Sequence, residues 1–276
     1  MSIGRKGGVI SATPPAVSTS GASGVWALAT QLQEQGGSNW PAQPLPPSET
    51  PGQLWMWGYN GRGQLGNNAT AYRNSPVQVA SGGSTWTQIG TNATQFSMAR
   101  TDDDKLYAWG SNYNGQLGVP AAGSVVRTPV QVGALTNWRT LSLGANNSAH
   151  AKSDGTLWMW GTNIDGAGTT ANSPVQVGSD TDWDSVAGGH TIAAGTNCYL
   201  FVKSTGALYG LGVNSTGQLG TGNTTVYSVP VQVGALTDWK SVAMAVDTSF
   251  AIKTDGTLWA WGNDAHGATG RGAAGR

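Results

Sequence analysis

A short aromatic strand ending in glycine recurs about every fifty residues along this chain, and that period constrains the fold more than any single motif. The copies are Leu54-Trp55-Met56-Trp57-Gly58, Leu106-Tyr107-Ala108-Trp109-Gly110, Leu157-Trp158-Met159-Trp160-Gly161, Leu208-Tyr209-Gly210-Leu211-Gly212 and Leu258-Trp259-Ala260-Trp261-Gly262. Of the 13 tryptophans, all but Trp26 and Trp40 fall on this lattice. A unit of this length is one supersecondary element that cannot bury its own apolar face, so neighbours must stack to make a core. The remainder of the unit is also regular. A Gly-rich turn follows (Asn60–Gly66, Asn114–Gly118, Thr216–Gly220), then a Pro-led strand at Pro76, Pro129, Pro174 and Pro230. A lone tryptophan comes next (Trp86, Trp138, Trp183, Trp239) and opens a third strand.

A fourth strand runs into Asp154-Gly155 or Asp255-Gly256, which reads as a two-residue type I′ hairpin; Thr205-Gly206 is weaker and Asp103-Asp104-Lys105 departs from it. Four short strands per unit predict an all-β protein, a propeller-like array of four-stranded antiparallel blades over residues 51–276. Trp57, Trp109, Trp160 and Trp261, with Trp86, Trp138, Trp183 and Trp239, are read as the repeat core. Each buries roughly 150–250 Å² when stacked between sheets.

The pattern Leu-Trp-x-Trp-Gly-x-Asn-x-x-Gly-Gln-Leu-Gly, followed by Pro-Val-Gln-Val, Trp and Asp-Gly-Thr, resembles the regulator of chromosome condensation repeat. The resemblance covers about residues 53 to 270 and implies a propeller, usually of seven blades in that family. Four full units and the start of a fifth lie here, so either the native polypeptide continues past Arg276, or fewer blades close, or another chain covers the open end; continuation is the expectation. Nucleotide exchange and nucleosome contact in that family rest on surface loops and a basic arm with no equivalent in these residues.

Charge narrows the function classes. Lys plus Arg number 14 and Asp plus Glu 14, which gives no overall electrostatic footprint for nucleic acid or an anionic membrane. Cys198 stands alone and reads as a small buried hydrophobe. His150, His190 and His266 occupy unrelated repeat positions, and no metal-ligand spacing or recurring Ser–His–Asp set is visible. The run Asp102-Asp103-Asp104 lacks the spaced ligands of a calcium loop and reads as a hairpin tip. The glycine-rich turns follow antiparallel strands rather than opening a helix, unlike a phosphate loop. No enzyme and no cofactor are expected.

Residues 1–50 differ from the repeats. Arg5-Lys6 precedes a polar, Pro-punctuated stretch with no secretory apolar run, and no segment is long enough to span a membrane. Ser23 to Gly36 predicts a short capped helix with Val25, Leu28 and Leu32 on one face. Gly4-Arg5-Lys6-Gly7-Gly8-Val9-Ile10-Ser11, Ser23-Gly24-Val25-Trp26 and Asn39-Trp40-Pro41 resemble the N-termini of virion structural and tail-fibre proteins of phages infecting cyanobacteria. That resemblance implies a docking arm in which Val25, Trp26, Leu28, Leu32 and Trp40 bind other virion proteins. It implies a virion location, with the propeller displayed toward a host-surface receptor or glycan and the chain a homo-oligomer within the assembly. A bacterial surface or secreted lectin-like propeller is the alternative reading, and an intracellular exchange-factor-like regulator a third.

Overall fold

The computed structural model describes residues 52–80, 85–91, 95–183, 192–194 and 197–270, all within the unit Thr50–Arg276. The expected helix at 23–36 and the docking residues Val25, Trp26, Leu28, Leu32 and Trp40 lie outside the described residues. Among those described, every regular element is a strand. β1 (Trp55–Gly58) pairs with β2 (Arg73–Gln78). Three four-stranded antiparallel sheets follow. The first holds β3 (Trp86–Thr91), β4 (Phe96–Thr101), β5 (Leu106–Ser111) and β6 (Val125–Gln131). The next holds β7 (Ser142–Leu143), β8 (Asn147–Ala151), β9 (Leu157–Gly161) and β10 (Ala171–Gln176). The third holds β11 (Ile192–Ala194), β12 (Cys198–Val202), β13 (Leu208–Gly212) and β14 (Tyr227–Gln232). A three-stranded sheet of β15 (Trp239–Met244), β16 (Thr248–Lys253) and β17 (Leu258–Gly262) comes last.

The fold is the all-β, blade-repeat architecture that the period predicts, with one shift of frame. A blade begins at the lone-tryptophan strand and ends at the Pro-Val-Gln strand, so the aromatic strand that opens each sequence repeat is third in its sheet. The prolines sit on β2, β6, β10 and β14, the outermost strand of each sheet, where a residue without an N–H is tolerated. The core lies between blades. One cluster joins Phe96, Met98, Trp109, Leu117, Trp138 and Trp160; a second joins Met159, Trp183, Tyr199, Phe201 and Leu211; a third joins Leu208, Trp239 and Val242.

The hairpin turns differ from the type I′ expectation. Gly155 alone has positive φ, at 79°, while Lys152 N–H donates to the Thr156 carbonyl and Gly155 N–H to the Lys152 carbonyl. This is a three-residue loop closing on a left-handed residue, the other common hairpin solution. Asp104, with φ 58°, fills the same place in the Asp102–Asp104 turn, so the apparent departure at Asp103-Asp104-Lys105 keeps the conformation. Asp is among the few L-residues that enter this region readily.

The glycine that ends each aromatic strand has two reasons to be glycine. At Gly110, Gly161, Gly212 and Gly262, φ lies between 97° and 106°. A Cβ there would also stand 2.3–2.6 Å from a carbonyl oxygen of the preceding loop, at Gln95, Asn146, Asn197 or Asp247. Those carbonyls accept the N–H of the next residue, so the glycine lets strand and loop join without a side chain between them. In the first three blades and at Gly212 the pairing with the outer strand shifts register beside this glycine.

Candidate functional site

Two ends of the blades carry polar side chains, and their chemistry differs. At one end lie the Gly-rich turns, each built around an asparagine, buried at Asn60 and Asn214 and half-buried at Asn112. Asn60, Asn112 and Asn214 accept through Oδ1 from the N–H of Leu65, Leu117 and Leu219 at 3.0, 3.2 and 2.9 Å. Gln64, Gln116 and Gln218 turn their own Oε1 back to the N–H two residues earlier, each at 2.9 Å. The turn is thereby rigid, and its glutamine carbonyl points into the next blade. There it accepts from the indole Nε1 of Trp109, Trp160 or Trp261, each at 2.9 Å, and from the hydroxyl of Ser97, Ser148 or Ser249. Serine and tryptophan face one another across paired strands.

The fourth copy departs in both halves together. Its incoming turn reads Asp165-Gly166-Ala167-Gly168, without glutamine, and the receiving pair is Tyr199 opposite Leu211. Both side chains are buried. Tyrosine plus leucine fills the space that serine plus tryptophan fills elsewhere. The Tyr199 hydroxyl has no hydrogen-bond partner, and its burial raises its pKa well above the ordinary value.

The core residues expected from the sequence are placed unevenly. Trp109, Trp138, Trp160, Trp183 and Trp239 are buried, whereas Trp86 and Trp261 are half-buried. Trp57 is 48% exposed. Its position is a correction to the core assignment: among the described residues no preceding turn supplies the carbonyl and glycine that cover its counterparts. Cys198 is buried on β12 with Sγ facing the Val246 carbonyl, as a small hydrophobe would be.

The opposite, hairpin end carries lysines held between aromatic rings. Lys203 Nζ lies 4.7 Å from the Trp183 ring centre and 4.9 Å from that of Tyr209, with Asp180 at 2.6 Å and Asp182 at 2.9 Å. Burial opposes its charge, but the hydrogen bonds it donates to Asp180 and Asp182, with their negative charges, outweigh that and raise its pKa above the ordinary value. Lys253 repeats the arrangement between Trp239 and Trp259 beside Asp238, and Lys152 does so over Trp158 beside Asp154. The Asp102–Asp104 run belongs to this end: Asp103 pairs with Lys105 and Asp104 with Arg100. These clips fasten the lone-tryptophan strand to the hairpin. Sequence reading missed them, although a Lys two residues before Asp154-Gly155, Thr205-Gly206 and Asp255-Gly256 was the available signal.

His150 is buried flat against Trp160, with ring centres 4.5 Å apart. Its Nδ1 lies 2.8 Å from the Thr140 carbonyl oxygen, so that nitrogen donates and the ring is neutral; Nε2 has no hydrogen-bond partner. Desolvation lowers its pKa to about 4, against the smaller opposing effect of the Thr140 bond.

Many of the polar groups at both ends thus serve the scaffold, and the first two Gly-rich turns carry a cluster of exposed tyrosines around a half-buried arginine. On the first two turns, Tyr59 (55% exposed) and Tyr72 (69%) lie with ring centres 5.0 Å apart, and Tyr113 is 58% exposed. The Arg62 guanidinium sits 5.0 Å above the Tyr113 ring and donates to its hydroxyl at 3.1 Å. Among the described residues no group of three or more His, Cys, Asp and Glu is positioned to hold a metal ion. No helix among them is long and apolar enough to cross a membrane.

A family model described as the "Regulator of chromosome condensation (RCC1) repeat" matches residues 51–97, 103–150 and 205–252, just over half the chain. The chain belongs to this repeat family. Its repeats are 30% identical to "RCC1 domain-containing protein RUG3, mitochondrial" of Arabidopsis thaliana over 77% of this chain and 50% of the relative. They are 29% identical to the "Ultraviolet-B receptor UVR8" of the same plant over 79% and 50%. The match to human "E3 ubiquitin-protein ligase HERC2" is 25% identical and covers 80% of this chain but 5% of that protein. The chain therefore spans at most half the length of these relatives. Among solved structures, yeast RCC1 (Prp20) bound to Kap60 superposes with a TM-score of 0.65 at 20% identity, covering 77% of this chain and 52% of that one. Human WBSCR16 gives 0.61 at 20% identity over 71% and 52%. These two likenesses establish the fold of the repeats.

Proposed function

We propose that this chain is a non-enzymatic structural protein of a phage particle, docked through its first 50 residues and displaying the repeat blades for recognition. The observation that carries the proposal is the N-terminal sequence. Gly4-Arg5-Lys6-Gly7-Gly8-Val9-Ile10-Ser11, Ser23-Gly24-Val25-Trp26 and Asn39-Trp40-Pro41 resemble the N-termini of virion structural proteins, and Trp26 and Trp40 have no place in the repeat. The blades support the binding half of the reading. Their recurring polar groups are consumed in scaffolding, and the first two Gly-rich turns leave Tyr59, Tyr72 and Tyr113 exposed beside a half-buried Arg62, residue types that concentrate binding energy.

In this reading Val25, Trp26, Leu28 and Leu32 order against another virion protein, since a short helix flanked by Ser, Thr, Gly and Pro is marginal alone. The surface or secreted lectin-like alternative shares the exposed aromatic surface and differs in its attachment. Incorporation into particles separates the two. Trp26→Ala in the full chain should sharply reduce the protein found in purified particles while leaving its melting temperature unchanged. Wild-type incorporation of that variant and of a chain lacking residues 1–45 would refute docking by the arm.

A further inference from the structure

The balanced net charge conceals an uneven distribution. Residues 50–101 contain Arg62, Arg73 and Arg100 and no Asp or Glu. Between Asp104 and Asp154 lie Lys105, Arg127, Arg139 and Lys152, again without an acid. At the hairpin end Arg100, Lys105, Lys152, Lys203 and Lys253 each pair with a carboxylate. Arg62, Arg73 and Arg127 make no ion pair among the described residues, and the Arg73 Nε is buried without a hydrogen-bond partner. Two of them meet at the first Gly-rich turn: Arg62 lies within it, and a Cβ on Gly63 would stand 3.2 Å from the Arg127 side chain.

The aromatic rings lie in the same place. A Cβ at Gly61 would meet the Tyr59 hydroxyl at 2.3 Å, so that ring lies over the backbone beside Arg62, with Tyr72 against it. On the other side Tyr113 holds the Arg62 guanidinium by its face and its hydroxyl. A guanidinium with no carboxylate partner among the described residues, held in place by Tyr113 beside the exposed Tyr59 and Tyr72 rings, fits a ligand that has both carboxylates and flat apolar faces. A pyranose ring offers a C–H face to tyrosine, and a hexuronic acid adds the carboxylate for arginine. Aspartate and glutamate side chains supply the charge but no ring face.

We propose that Tyr59, Arg62, Tyr72 and Tyr113, with Arg127 at the margin, form a binding site for a carboxylated polysaccharide, a hexuronate-bearing glycan. The site deepens the recognition half of the function proposed above and does not depend on the arm.

Isothermal titration of the full chain with oligogalacturonate, oligoalginate and hyaluronan hexasaccharide, with methyl-esterified oligogalacturonate and poly-glutamate as controls, tests it. At least one uronate should bind, with affinity that falls as salt rises. The neutral ester should bind about 10-fold more weakly, the effect of losing one charge-assisted bidentate contact. Arg62→Ala and Tyr72→Ala should each weaken uronate binding by a similar factor with an unchanged melting temperature. Gly61→Ala, which displaces the Tyr59 ring without removing a contact group, should weaken it less. Failure of all three uronates, equal binding by the variants, or equal binding of poly-glutamate would overturn the assignment, the last in favour of an acidic protein partner. Trp26→Ala should leave uronate binding intact, and Arg62→Ala should leave particle incorporation intact, so this site and the arm fail separately.

Discussion

Exchanging the serine–tryptophan pair of the third blade for the tyrosine–leucine pair of the fourth tests whether neighbouring blades share one packing volume. In the third blade Trp160 is fully buried, stacked on His150, edge-on to Trp138 at 5.6 Å and bonded to the Gln116 carbonyl. Trp160→Leu removes the outer ring and that bond, and should cost about 2–4 kcal/mol, near the lower part of the range for truncating a large buried side chain. Ser148→Tyr alone forces a ring against an intact Trp160 and should cost about 1–3 kcal/mol by overpacking. In the double variant the tyrosine occupies the space the indole leaves, as Tyr199 does opposite Leu211. The combined cost should fall about 1–3 kcal/mol short of the sum of the singles. It should not reach zero, because the Gln116 carbonyl loses both of its side-chain donors, worth about 1–3 kcal/mol for a buried acceptor. Urea unfolding of the four proteins gives the cycle. Additivity within about 0.5 kcal/mol would show that the two positions do not share a volume, and the account of the fourth blade would be wrong.

Two further outcomes follow from the same geometry. His150 is neutral in the fold with a pKa of about 4, below its ordinary 6.5, so the stability it contributes is complete above 6.5 and is lost as pH falls toward 4. That loss should amount to about 3 kcal/mol; His150→Phe, which installs the residue found at Phe201, should remove this part of the acid sensitivity in pH-dependent unfolding, and an unchanged profile would contradict the buried neutral ring. Gly155→Ala and Gly256→Ala alter the same hairpin position at φ 79° and 86°, but a Cβ meets the Thr181 carbonyl at 1.9 Å in the first and open space in the second. The second should therefore cost only the left-handed strain, about 1 kcal/mol, and the first clearly more; equal melting temperatures would show that the contact between blades yields freely.

Much of this architecture was legible along the chain because its rules are local. Strand alternation, a proline confined to an edge, and a tryptophan every unit each depend on a residue and its near neighbours, so the period announced the blades and the family. Cys198 as a small buried hydrophobe was equally readable. The turn type was not. Asp-Gly fits two hairpin geometries, and the left-handed Asp104 shows that the conformation outlives the motif that suggested it. Nor could spacing assign the exposed Trp57 and the buried Trp160 to different environments, since both sit in Leu-Trp-Met-Trp-Gly strands, but β1 has only β2 beside it whereas β9 lies between β8 and β10 and receives the Gln116 turn. The bond from an indole to a glutamine carbonyl joins residues 44 positions apart, as Trp160 and Gln116 show, and the coupled change at Asp165–Gly168, Tyr199 and Leu211 acquires meaning only through it. Local sequence set the repeating unit; the stacking of one unit on the next, which brings distant side chains into a shared space, decided which residues became core, clip or exposed surface.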